Sequence, residues 1–187
     1  MVLLQFDGML KLLKEQPEMG GLLGYGWIIS SNGSEIAHGF GLFANKQTVN
    51  SSQAEYLALI EGLDALVDLY SRNEHVEIIG DAKCVIDQMS GTAAISSLIT
   101  RKLHERACKL AGQFSQLTWA WVPRSKNKRA DKLSRRGLLN LYNSPGSYES
   151  VLSQLDAHPG NQKGFISMLD LRVYSQRPME PLISKRL

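Results

Sequence analysis

The stretch SSQAEYLALIEGLDALVDLYSRNEHVEIIGD (residues 51–81) decides the fold. Its first part repeats every 3.6 residues. Ala54, Leu57, Ala58, Leu63, Leu66 and Leu69 make one apolar stripe, and Asn50, Ser51 and Ser52 are cap candidates for the helix start. The period then stops. HVEIIGD (75–81) is a short apolar run closed by an acid, consistent with a central parallel strand buried on both faces. A helix delivered into such a strand puts the chain in the α/β class.

Working outward, VLLQFD (2–7) reads as a buried strand, followed by a loop of about 15 residues. GYGWIISSNGSEIAHGFGLF (24–43) holds two β-rich runs around Asn32-Gly33, a strong short-range hairpin signal, so an antiparallel pair is expected beside the first strand. Downstream, a short helix (82–90) ends at Gly91, and a longer one (95–113) carries Ile95, Leu98, Ile99, Leu103, Ala107 and Leu110 on one face. LTWAWV (117–122) is a fifth strand stopped by Pro123, and 126–140 form a basic helix with Ala130, Leu133, Gly137 and Leu138 inward. The order β-β-β-α-β-α-α-β-α predicts a mixed five-stranded sheet with helices packed on it. After Asn143 the chain turns Gly- and Pro-rich, and FISMLDLRVY (165–174) alternates like a strand. The expected organisation is therefore one domain over 1–143 and a C-terminal extension over 144–187.

With 187 residues, 43% of them hydrophobic, the chain can bury a full core. It has no apolar run of 18 residues, so no transmembrane helix and no membrane partner are expected. The short apolar start is cut by Asp7 and has no basic lead-in, which reads as a strand and not a signal peptide. Cys84 and Cys108 are spaced like helix residues, as reduced thiols of a cytoplasmic protein would be. The net charge of +3 is unevenly spread. RSKNKRADKLSRR (124–136) carries seven basic residues against Asp131, leaving 14 basic and 17 acidic residues elsewhere. One basic patch on a mildly acidic body is a footprint for a polyanion.

Asp7, Glu55, Asp81 and Asp131 each stand at a structural junction. Asp7 interrupts the first strand, Asp81 ends the second apolar one, and Glu55 and Asp131 lie early in the first and last long helices. Ligands of such sheets collect at the carboxyl ends of the strands. Four acids meeting there unpaired would repel and raise one another's pKa values. A pair of hard divalent cations resolves that repulsion, with remaining positions left to water and phosphate oxygens. Taken singly, Glu55 could complement its helix dipole, Asp131 could pair with basic neighbours, and Asp81 could cap the helix that follows.

FDG (6–8), GYG (24–26), SSQAEYLALIEGL (51–63), IIGDAKCVIDQM (78–89) and WVPRSKNKRADKLS (121–134) together resemble the ribonuclease H family, in its type 1, reverse-transcriptase-like branch. The resemblance covers residues 1–140 in order. It implies a ribonuclease H-like sheet of strand order 3-2-1-4-5. It also implies two Mg²⁺ ions (or Mn²⁺), and hydrolysis of the RNA strand of RNA–DNA hybrids leaving 5′-phosphate and 3′-hydroxyl ends. No small-molecule organic cofactor is implied. The catalytic and metal-holding acids map to Asp7, Glu55, Asp81 and Asp131. Asp7 would bridge the metals, Glu55 and Asp81 would hold one, and Asp131 the other. Gly8 would let a ribose or phosphate approach beside Asp7. Asn50, Ser51 and Ser52 would touch 2′-hydroxyls and base edges. Arg124, Lys126, Asn127 and Lys128 would line a phosphate track.

Three departures accompany the resemblance. The segment after Asp7 (MLKLLKEQPEMGG, 9–21) is longer and more apolar than the family's glycine-rich turn. Val122-Pro123-Arg124-Ser125 holds no histidine where many members have one, so slower turnover is expected. The interval between Asp81 and Asp131 leaves no room for a basic protrusion. The rival readings are a catalytically silent nucleic-acid-binding domain and a nuclease of the same fold with another nucleic-acid substrate. Oligomeric state is left open by the sequence.

Overall fold

The computed structural model describes residues 1–13, 20–45, 48–70, 73–146, 148–150 and 152–153. The strands are β1 (Val2–Leu12), β2 (Gly21–Ser31), β3 (Ser34–Asn45), β4 (His75–Gly80) and β5 (Gln116–Trp121). The helices are α1 (Ser51–Leu69), α2 (Lys83–Met89), α3 (Leu98–Ala111) and α4 (Lys128–Asn143), the last preceded by a 3₁₀ turn at Arg124–Lys126. The sheet order is β3-β2-β1-β4-β5, as expected. β1, β2 and β3 pair antiparallel, whereas β4 and β5 run parallel to β1. Asn32 and Gly33 both take positive φ at the β2–β3 turn, at 50° and 81°, as a two-residue hairpin of this twist requires.

Alternation along the strands splits the core. Val2, Leu4, Phe6, Tyr25, Trp27 and Ile29 face α1 and α3 in the main apolar cluster. On the opposite face Ile28 and Phe40 meet Ala130 and Leu133 of α4, and Leu22, Leu42 and Ala44 meet Leu141. Leu98, placed by its spacing on the inner face of α3, is 66% exposed as the first residue of that helix. Just past α4, Tyr148 packs on the Leu22–Leu141 cluster, its ring 5.4 Å from that of Tyr142. The strand expected at 165–174 lies outside the described residues. Among the described residues no helix is long and apolar enough to cross a membrane.

The first strand is longer than the sequence suggested. It does not stop at Asp7 but continues to Leu12, because residues 8–12 pair with Gly21–Tyr25 of β2. The parallel ladder with β4 does stop, at Phe6 opposite Gly80. Asp7 is thus the first residue of β1 past the end of β4. That offset opens a notch at the carboxyl end of the parallel strands.

Candidate active site

Asp7 is buried, with 3% of its surface exposed, and its Oδ2 accepts a hydrogen bond from the Ser134 hydroxyl of α4. α4 comes this close because β2 offers glycines beneath it. A Cβ on Gly24 would lie 2.2 Å from the Ser134 carbonyl oxygen, and one on Gly26 would lie 2.5 Å from the Ser134 nitrogen. The GYG motif is therefore a seat for the helix that brings Ser134 to Asp7.

Glu55, the fifth residue of α1, lies just past the first turn. Its Oε2 accepts from the Gly8 N–H at 2.9 Å. The side-chain position that Gly8 leaves open faces α1. A Cβ there would meet the backbone of Ala54 and Glu55 at 2.2 Å, so the space is filled by α1. Gly8 fixes the distance between α1 and β1, and with it the place of Glu55.

Asp81 follows β4 directly. It does not cap the next helix, whose N-cap, Ala82, has no side-chain hydrogen bond. Its Oδ1 accepts from Asn127 Nδ2 at 2.6 Å, and its backbone carbonyl accepts from Trp121 Nε1 at 3.0 Å. Asn127 is itself fully buried. Its amide nitrogen also donates to the Phe6 carbonyl at 2.8 Å, and its Oδ1 has no partner. The place given to Asn127 on a phosphate track is thereby overturned. It is a clamp joining the ends of β1 and β4 to the start of α4.

Asp131 sits in the first turn of α4, because the helix begins at Lys128. Arg124 and Arg135 grip it, the latter at 3.3 Å. Arg124, Lys126 and Lys128 are exposed around this helix start. Asn50 is the N-cap of α1, accepting from the Gln53 N–H at 3.1 Å, with Ser51 exposed and Ser52 half-buried beside it.

The acids feel one another. Burial, then the charges of Asp81 and Asp131, push Asp7 up to about 7 against the relief given by Ser134 and Arg124. Burial, Asp7 and Asp81 hold Glu55 well above the ordinary carboxyl range, with the Gly8 N–H and Arg124 opposing. Burial pushes Asp131 up as well, but its hydrogen bonds to Arg135 and Arg124 outweigh it, and its pKa is lowered. The four carboxylates share one electrostatic site, threaded by the Arg124 guanidinium. Sequence reasoning missed Ser134, although its i+3 spacing from Asp131 puts both on one helix face. It also missed Trp121 and Arg135.

Comparison with known proteins bears on the whole arrangement. The family model described as reverse transcriptase-like matches residues 11–137, which include Glu55, Asp81 and Asp131. The chain belongs to the reverse-transcriptase-like family. It is 34% identical over 117 residues to a bifunctional protein of Mycobacterium tuberculosis, covering 61% of this chain and 30% of that one. It is also 34% identical over 114 residues to ribonuclease HI of Halobacterium salinarum, covering 60% of this chain and 55% of that one. The chain thus spans only part of the length of these curated relatives. Among solved structures, the N-terminal RNase H domain of the mycobacterial protein superimposes with a TM-score of 0.62 at 28% identity, covering 80% of this chain and 97% of that chain. RNase H1 of Halobacterium salinarum gives a TM-score of 0.62 at 29% identity, covering 74% and 98%. The sheet of this reverse-transcriptase-like protein is a ribonuclease H fold.

Proposed function

We propose that the protein is a ribonuclease H: a metal-dependent endonuclease that hydrolyses the RNA strand of RNA–DNA hybrids. The observation that carries this reading is the convergence of Asp7, Glu55 and Asp81 on one another, strong enough to raise the first two, beside an exposed basic helix start. The RNase H named in two of the matched solved structures points the same way.

Divalent cations suit this donor set. All four groups are hard oxygen donors, and the burial and repulsion that raise Asp7 and Glu55 leave an excess of negative charge that a cation offsets. As the side chains stand, no three His, Cys, Asp or Glu among the described residues form a ready-made metal group, and Asp131 is engaged by two arginines. Asp7, Glu55, Asp81 and Asp131 would hold two Mg²⁺ or Mn²⁺ ions, which supply an activated water and stabilise the leaving 3′-oxygen. The protein's own part is orientation. Ser134 holds the Asp7 carboxylate, the Gly8 N–H holds Glu55, and Asn127 holds Asp81, so three of the four acids are aimed before substrate arrives. The water oxygen bonds to phosphorus as the P–O3′ bond breaks, leaving a 5′-phosphate and a protonated 3′-hydroxyl. Arg124, Lys126 and Lys128 take flanking phosphates, and Asn50, Ser51 and Ser52 read the 2′-hydroxyl face at the start of α1.

The test is Asp81→Asn against wild type on a labelled RNA–DNA hybrid, with RNA–RNA and DNA–DNA duplexes alongside, each with and without Mg²⁺. Wild type should cleave only the hybrid and only with metal, while the variant should bind it and leave it intact. Cleavage by the variant would sink the site assignment, and cleavage of another duplex would point to a nuclease of different substrate.

A further inference from the structure

Beside the acids stands one large aromatic that the reading above does not use. Trp121 closes β5 and is 48% exposed, whereas Trp27 is buried and Trp119 packs partly against the core. It is held in place. Its indole N–H donates to the Asp81 carbonyl at 3.0 Å, and its register partner is Gly80, the residue before Asp81. With the N–H satisfied, what remains in water is apolar ring, a costly surface to leave uncovered. The chain then runs through Pro123 to the exposed Arg124 and Lys126. A fixed aromatic face next to phosphate-binding cations is the combination that holds single strands of nucleic acid. In a duplex the base faces are already covered by their neighbours. A ring of this kind finds a base to stack on only where a strand leaves its duplex.

We propose that Trp121 is a stacking platform for an unpaired nucleobase, so that the protein favours hybrids carrying a single-stranded extension next to the acid site. This inference rests on the nuclease reading for its substrate, but its test is separate. Binding of the full chain is measured by fluorescence anisotropy without divalent cation. The probes are a blunt RNA–DNA hybrid and four hybrids extended at the 5′ or 3′ end of either strand.

Wild type should bind at least one extended hybrid about fivefold or more tighter than the blunt one. Trp121→Ala should abolish that gain while binding the blunt hybrid as before. Trp121→Phe, which keeps a ring but loses the N–H to Asp81, should retain most of it. The proposal is overturned if no extension is preferred by wild type, if the preference survives Trp121→Ala, or if Phe behaves like Ala. Equal loss on blunt and extended hybrids in Trp121→Ala would also overturn it, since Trp121 would then act only by positioning Asp81. Failure of wild type to cleave the blunt hybrid in Mg²⁺ would defeat the nuclease reading and leave the stacking result standing.

Discussion

Asp7 carries the largest consequence of any single side chain. Its pKa of about 7 lies above the ordinary 3.8, chiefly through burial. A raised folded-state value means that its stabilising contribution is full below about pH 4 and is lost as pH climbs through 7. The metal-free protein should therefore lose stability from this group between pH 4 and 8. Asp7→Asn, which can still accept from Ser134, should remove the loss. We expect it to be more stable than wild type by up to about 4 kcal/mol at pH 8 and nearly equal at pH 4. Urea unfolding in chelator at both pH values checks this, and an Asn variant no more stable at pH 8 would contradict the raised pKa of Asp7. The four acids were legible in the sequence because each stands where a strand ends or a helix begins. Asn127 was not. It sits in a cationic run that reads as surface, and its buried partner, the Phe6 carbonyl, lies 121 residues earlier.

Among the elements, spacing between α1 and β1 sets the site, and Gly8 sets that spacing. Gly8→Ala places a methyl against the α1 backbone, which cannot yield as a flexible side chain would. We expect a loss of about 1–3 kcal/mol in thermal or urea unfolding and a larger proportional loss of hybrid cleavage, because Glu55 moves with the helix. Unchanged stability would mean that α1 is not seated on this glycine. The helices and strands were legible from their periods, with ends displaced by a few residues. β1 was misjudged because an acid followed by glycine looks like a strand end. Its continuation depends on β2, which runs beside it to Gly21, and no local signal records that.

For the whole molecule, the governing feature is one basic face on an otherwise acidic body. Lys126, Lys128 and Lys132 are all exposed on it. Replacing the three by Gln should weaken hybrid binding and flatten the slope of log affinity against log salt by at most about 3, one phosphate contact each. An unchanged slope would place the hybrid elsewhere. By itself the sequence determined the fold class, the strand order implied by its motifs, the four acids and the sign of the surface around α4. These are properties of local period, residue type and spacing, which a chain carries whether or not it is folded. Only the tertiary structure decided that Gly8, Gly24 and Gly26 are seats for helices, that Asn127 is a buried clamp, and that Trp121 stands exposed beside Asp81. Those roles are fixed by which backbone arrives across the sheet, and that is settled when strands distant in sequence close on one another.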